Sequence, residues 1–190
     1  MLSVRSFRHA ATLIAVFAGA AQAQSGLLSN TATVAINATK QATLTVAINS
    51  GGTQTMTTLT DNAVNNFASP VNITTTWDIN PSAAAVVLVG YFSNPSQALA
   101  SGTNYITSSL VKGRIGTSGT FNPFSGAAVT GGASSVGVAG GSLSLFSQSI
   151  NGTNKASNRT DDLYLQIDLT GQSVSAGTYA GTLNLRAITQ

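Results

Sequence analysis

In the stretch DDLYLQIDLTG, residues 161–171, apolar and polar side chains alternate from Asp162 to Thr170. One face carries Leu163, Leu165, Ile167 and Leu169, and the other carries Asp162, Tyr164, Gln166 and Asp168. Successive side chains of a β-strand point to opposite faces, so a period of two is typical of a strand with one face in the core. The stretch therefore predicts a half-buried strand.

The same two-residue period recurs in four other segments. They are VNITTTWDI (71–79), YITSSLVKGRIG (105–116), GSLSLFSQSI (141–150) and GTYAGTLNLRAITQ (177–190), of which the second and third are weaker. Trp77 falls on the inward parity of its segment, which predicts a core tryptophan. AAAVVLVGYF, residues 83–92, is apolar throughout and is typical of a central strand buried on both faces.

Helical signal is confined to residues 93–102, where Pro95 suits the first position of a short turn capped by Ser93 or Asn94. Seven or eight strands separated by turn-forming residues predict an all-β fold, an antiparallel immunoglobulin-like β-sandwich. The segment SGAAVTGGASSVGVAGGS, residues 125–142, holds only small residues and three valines. We expect a mobile spacer loop there, with a functional loop as the alternative.

The first 23 residues have the layout of a secretory signal peptide. Arg5 and Arg8 form a basic start, residues 13–20 are apolar, and residues 21–23 read A-Q-A, a cleavage site. The apolar stretch is shorter than the roughly 20 residues that span a bilayer, and no later segment is long and apolar enough. We therefore expect an exported chain, periplasmic, cell-surface or extracellular, without a membrane span.

Charged residues make up only 7% of the chain, far below the ~25% that is typical of soluble domains. After the expected cleavage, six Lys and Arg remain against five Asp, so the net charge is +1. Ser, Thr, Asn, Gln and Gly supply the surface positions instead. The chain has no extended basic patch, and we therefore expect no nucleic-acid partner.

The chain beyond residue 23 contains no His, Cys or Glu. This excludes histidine-based triads, thiol chemistry and most zinc sites, so we predict a non-enzymatic protein with no catalytic residue, cofactor or metal. Asp161 and Asp162 are adjacent, and a strand would point them to opposite faces. Residues 151–162 gather oxygen ligands of the kind that Ca²⁺ takes, but their spacing matches no calcium loop, which favours a solvated turn.

The stretch TATVAINATKQATLTVAI, residues 31–48, carries enough alternation for two strands. Its even-numbered positions are apolar on both sides of a lysine: Ala32, Val34, Ile36 and Ala38 precede Lys40, and Ala42, Leu44, Val46 and Ile48 follow it. The pattern predicts either one long strand or an extension followed by a first strand.

The C-terminal stretch SAGTYAGTLNLRAITQ, residues 175–190, resembles the last strand of secreted pilin-like proteins, including the spore coat protein U type and the chaperone–usher pilins. In that group the domain lacks one strand, which the N-terminal extension of a neighbouring subunit supplies. The resemblance implies a donor extension at residues 24–38, a domain at 39–190, and copies of itself and a periplasmic chaperone as partners. The implied assembly residues are Ala32, Val34 and Ile36 in the donor and Tyr179, Leu183 and Leu185 in the acceptor groove.

Two alternatives stay open. Residues 31–48 could be one edge strand that switches sheets near Lys40 and completes the chain's own sandwich. The protein could also be a monomeric binding or adhesion module for polysaccharide or another cell-surface ligand. The aromatic candidates for such a site are Tyr91, Tyr105, Phe121, Phe124 and Tyr164, of which Tyr164 lies clearly on an outward parity. Residues 74–102 also resemble uncharacterised secreted bacterial proteins, which implies no mechanism.

Overall fold

The computed structural model describes residues 28–80 and 82–190, so the predicted signal peptide, residues 1–23, lies outside the described residues. The chain separates into two units between Thr39 and Lys40. Residues 28–39, the described part of the first unit, contain no strand, although their alternation predicts one. Alternation marks which residues suit a strand, but it does not supply the second chain segment that a strand needs for its backbone hydrogen bonds.

The second unit is built almost entirely of strands. Thirteen strands lie in the described residues: β1 Thr43–Ser50, β2 Val64–Asn66, β3 Val71–Asp78, β4 Ala85–Tyr91, β5 Leu99–Ser101, β6 Asn104–Ile106, β7 Val111–Ile115, β8 Asn122–Pro123, β9 Val129–Gly131, β10 Ser134–Val136, β11 Ser142–Ser149, β12 Ala156–Asp168 and β13 Asn184–Thr189. Two short 3₁₀ helices cover Pro95–Gln97, at the predicted helical turn, and Ser108–Leu110. Neither these nor any other helix in the described part of the chain has the length and hydropathy to cross a membrane.

The strands form two main antiparallel sheets. The first has the order β1-β3-β12-β7-β8, with β2 also paired to β12, and the second has the order β11-β4-β13. The predicted all-β antiparallel sandwich is thus confirmed. The expected number of seven or eight strands is too low, because the β5–β6 and β9–β10 hairpins and other strands of two or three residues lie in segments whose small and turn-forming residues indicate loops.

The strand β12, which contains the stretch that predicts the fold, connects the first sheet. Its first half pairs with β3 from Ala156 to Leu163, and its second half pairs with β7 and β2 up to Asp168. The predicted inward residues are all buried, with exposed fractions of 0% for Leu163, 8% for Leu165, 4% for Ile167 and 0% for Leu169. The local period therefore predicts both the strand and its buried face correctly.

The core between the two sheets includes Trp77, as predicted. Its ring is 3% exposed, and its indole N–H donates a hydrogen bond to the backbone oxygen of Asn154 at 2.7 Å. The apolar strand β4 is buried on both faces. Its residue Leu88 belongs to the main core, whereas Val87 and Val89 belong to a second apolar cluster on the other side of the strand.

The small-residue segment 125–142 contains β9 and β10. This hairpin covers the face of β4 that carries Val87 and Val89. Val136 is buried, Val129 packs with it, and both belong to the cluster of Val87 and Val89. We expected a mobile spacer there; the structure has a packed hairpin, because two of the three valines supply its apolar contacts. Gly131 lies so close to β13 that a Cβ would overlap the carbonyl oxygen of Thr189.

The C-terminal stretch is a sheet strand over only part of its predicted length. β13 begins at Asn184, whereas Ala180 forms a separate two-hydrogen-bond bridge with Ala100 of β5, at N···O distances of 2.8 and 3.0 Å. Gly181, between them, lies against the backbone of Ala98, where no side chain has room. Residues 177–183 therefore pass from the small hairpin to the edge of the second sheet.

We expect the Gly131→Ala substitution to destabilise the domain by about 1–3 kcal/mol, because the added methyl group pushes the hairpin away from β13. Gly152→Ala is the matched control, since a Cβ at Gly152 meets nothing within 4 Å. Urea unfolding followed by tryptophan fluorescence measures both variants. Equal unfolding midpoints for the two variants would contradict the observed docking of the hairpin.

Candidate functional site

The first and last strands of the domain each leave one edge without a partner. β1 pairs only with β3, and β13 pairs only with β4, among the described strands. The two strands are neighbours, but no ladder joins them, because they belong to different sheets. The sandwich is therefore open along the side where β1 and β13 face each other.

A cleft of about 570 Å³ lies at this open side. Two stretches of chain contribute to its walls. The first, within residues 48–59, comprises the end of β1 and the loop that follows it, and the second, within residues 177–185, comprises the segment before β13 and the start of that strand. Between them the cleft reaches core side chains, including Phe92 and Val111, each 3% exposed, and Leu165. We call this depression the β1–β13 cleft. It leads from the surface of the domain to the hydrophobic core.

The apolar residues along the β1–β13 cleft are less well covered than the rest of the core. Leu183 and Leu185 line the cleft and pack against the core but stay half-buried, and Ile48, which also lines it, is 50% exposed. Each square ångström of apolar surface removed from water is worth about 25 cal/mol. An apolar segment that entered the cleft would therefore bind with a favourable contribution from these three side chains.

Hydrogen bonds join the two loops beside the cleft. The Asp61 carboxylate accepts from the backbone N–H of Val174 at 3.0 Å and from the hydroxyl of Ser173 at 2.9 Å, and the N–H of Asn62 donates to the Gln172 oxygen at 3.0 Å. The Val174 N–H, followed by the Ser173 hydroxyl, lowers the pKa of Asp61 below its ordinary value of 3.8. The charged Asp61 carboxylate therefore joins the loop around residue 61 to the loop at residues 172–174.

The Asp61 contacts predict a pH dependence of stability. The pKa of Asp61 is lower in the folded state than in the unfolded state. Its contribution to the free energy of unfolding is therefore complete above the ordinary pKa of 3.8, and it is lost as the pH falls from there through the pKa of the folded state. We expect the urea midpoint of the wild type to fall more steeply than that of Asp61→Asn between about pH 5 and pH 2, a range that brackets the ordinary pKa. Circular dichroism measures the unfolding of both proteins. Parallel profiles would contradict this role.

The predicted acceptor residues Tyr179, Leu183 and Leu185 all line the β1–β13 cleft. The Tyr179 hydroxyl donates to the Ser175 backbone oxygen at 2.9 Å, which fixes the ring at the cleft. The predicted donor residues Ala32, Val34 and Ile36 belong to the unit that ends at Thr39, with Val34 83% and Ile36 88% exposed. The structure thus gathers the three predicted acceptor residues at one cleft, and the predicted donor residues Val34 and Ile36 are exposed.

The alternative of one sheet-switching strand is not what the structure contains. The first strand begins at Thr43, and residues 31–42 hold no strand. Sequence reasoning also missed the loop that follows β1, whose Met56 and Leu59 line the cleft. The available signal was weak: two apolar residues within a run of Thr, Gln and Gly, with no period to indicate which way they face.

The polar segment at residues 151–162, for which the sequence favours a solvated turn over a calcium loop, is a turn in its first part only. The Asn151 side-chain oxygen accepts from Thr153 and Asn154 within a tight turn, and β12 begins at Ala156. Asp161 pairs with Arg159, whereas Asp162 accepts from Asn72, so the adjacent carboxylates do have different surroundings. Within residues 28–80 and 82–190, no three His, Cys, Asp or Glu side chains cluster as metal ligands.

The aromatic candidates for a polysaccharide site are dispersed. Phe124 is fully buried, edge-on to Phe92 with ring centroids 5.4 Å apart, so it is corrected to a core residue. Tyr91 packs in the second apolar cluster, and Tyr105 is 42% exposed. Phe121 and Tyr164 flank the Arg114 guanidinium, at 4.4 and 5.7 Å from the ring centroids. The last two therefore share one contact, the Arg114 guanidinium.

In comparisons with known proteins, no family model, no curated protein and no solved structure matches this chain.

Proposed function

We propose that this chain is a secreted, non-enzymatic structural protein of the cell surface, with a pilin-like, immunoglobulin-like domain that assembles by strand donation. The observation that carries the proposal is the β1–β13 cleft, which lies between two unpaired strand edges and leads to the core. The signal-peptide pattern of residues 1–23 supports export, and the absence of His, Cys and Glu from residue 24 onward supports a non-catalytic role.

The N-terminal segment has the properties of an occupant for this cleft. Residues 31–38 are eight residues long, as is β1, so a strand formed from them matches the length of the edge. Their apolar parity would direct Val34 and Ile36 toward the core, while both strand edges gain backbone hydrogen bonds. Burying Val34 and Ile36 contributes about 1.5–2 kcal/mol each, and each backbone hydrogen bond adds about 1 kcal/mol.

A neighbouring copy is the natural source of this strand. Only Thr39 to Ala42, four residues, separate the segment from β1, so insertion into the chain's own cleft would require a tight reversal through Lys40. Lys40 instead forms an ion pair with Asp78 of β3 at 2.6 Å. Donation between copies leaves that contact in place. A periplasmic chaperone that covers the cleft before assembly is the second partner of the proposal.

The first test measures the size of the exported chain, residues 24–190, by size-exclusion chromatography with light scattering. We expect multimers that grow with concentration, and folded monomers once residues 24–38 are deleted. The double substitution Val34→Asp and Ile36→Asp should also give monomers, because buried carboxylates without partners are costly. The matched control is Thr31→Asp with Thr33→Asp, on the opposite parity, which should still assemble.

A peptide of residues 30–39 provides an independent test on the deletion variant. The peptide binds the native state only, so it should raise the melting temperature by several degrees at concentrations well above its Kd. A peptide with Val34 and Ile36 replaced by Asp should have no effect. A wild-type chain that is monomeric at every concentration, and that is destabilised by Val34→Asp, would instead support self-completion and contradict donation.

A further inference from the structure

A second depression lies on the outer face of the first sheet, outside the core that the β1–β13 cleft enters. It encloses about 560 Å³ and is lined by residues 50–55, residues 68–70, Asn72 and Asp162. Seven of its ten lining residues carry hydroxyl, amide or carboxylate side chains; the other three are Gly51, Ala68 and Pro70. This chemistry differs from that of the apolar β1–β13 cleft.

Hydrogen bonds between neighbouring strands hold the polar groups of this depression in place. The Asn72 amide donates to one carboxylate oxygen of Asp162 at 2.6 Å, and Asn49 donates to the Asn72 oxygen at 2.7 Å. Asn49 also donates to Thr74 at 2.8 Å, and Thr74 is hydrogen-bonded to Thr160 at 2.8 Å. Three strands, β1, β3 and β12, thus carry one continuous network.

Asp162 is the unusual member of this network. It is half-buried, yet none of the three ion pairs among the described residues includes it. Its Oδ1 accepts from Asn72, and its Oδ2 has no hydrogen-bond partner within the described residues. The Asn72 amide nitrogen has two hydrogens and uses one of them on Asp162. A fixed acceptor and a fixed donor therefore lie side by side at the depression.

This pair and its surroundings point to a ligand with neighbouring hydroxyl groups. One hydroxyl donates to Asp162 Oδ2, and the next accepts from the Asn72 amide. The carboxylate repels anions, and Ca²⁺ takes six to eight oxygens, usually from several carboxylates, whereas this depression has one. Ser50, Thr53, Gln54 and Ser69 add further neutral hydrogen-bonding groups at the rim.

Tyr164 extends the same face beyond the depression. It lies two residues from Asp162 along β12, about 7 Å at the rise of a strand, and shares its outward parity. Arg114 contacts the ring with its guanidinium 5.7 Å from the ring centroid, and it contacts Phe121 at 4.4 Å, which fixes the aromatic side chains. An aromatic ring with a negative face attracts the C–H groups of a sugar ring.

We propose that the depression at Asp162 and Asn72 binds a neutral saccharide, with adjacent sugar hydroxyls on this pair and a sugar ring against Tyr164. Asp162, Asn72 and Tyr164 do not line the β1–β13 cleft, although the loop residues Gly51, Gln54 and Thr55 border both depressions. Binding at this site gives an assembled surface protein many identical weak contacts, whose combined avidity exceeds that of one site.

The test is an NMR titration of the exported chain carrying Val34→Asp and Ile36→Asp, whose monomeric state is checked first by light scattering. The probes are the methyl glycosides of glucose, galactose and mannose, together with cellotriose and maltotriose. We expect saturable shifts of the Asn72 side-chain amide with at least one probe. Asp162→Asn should weaken that probe's binding at least tenfold, and Tyr164→Ala should also weaken it.

The matched control is Asp78→Asn, the same substitution at an outward position of the neighbouring strand, and it should leave the affinity unchanged. No saturable shift with any probe, or equal weakening by Asp78→Asn, would overturn the proposal. The proposal would also be overturned if CaCl₂ alone shifted the NMR signal of the Asn72 side-chain amide and EDTA reversed that shift. If the unsubstituted chain is itself a monomer, strand donation fails while the saccharide titration remains valid, so the two proposals fail separately.

Discussion

The outer edges of β1 and β13 carry backbone N–H and C=O groups that no other described strand pairs. Such edges are a template for another chain, and proteins generally cover them. Here the same gap also leaves Leu183 and Leu185 half-buried and lets the β1–β13 cleft reach Phe92 and Val111. One gap between two strand edges thus accounts for the exposed edges, the incompletely covered core and the cleft together.

The long strands could be predicted from the sequence because apolar and polar residues alternate along them, which indicates the buried face of each strand. Trp77 and Leu163 fall on the inward parity of β3 and β12, and both are buried. The β9–β10 hairpin could not be predicted in this way. Its place depends on the approach of Gly131 to the backbone of Thr189, which joins residues 58 positions apart and leaves no local period.

The candidate sites were predictable to different extents. Tyr179, Leu183 and Leu185 share a parity and all three line the cleft, although only Leu185 belongs to a strand, so the alternation accounts for their common position only in part. The partnership of Asp162 with Asn72 depends on the pairing of β12 with β3, in which the two residues lie opposite each other. Register between strands 90 residues apart has no signature within either strand, so the sequence alone could not bring this pair together.

The domain holds its sheets together with few charges. Among the described residues there are three ion pairs, and only the one between Arg159 and Asp161 joins two charges with two hydrogen bonds. Added salt screens such surface pairs, while backbone hydrogen bonds and apolar contacts are little affected. The folded domain should therefore have nearly the same stability in fresh water and in brine.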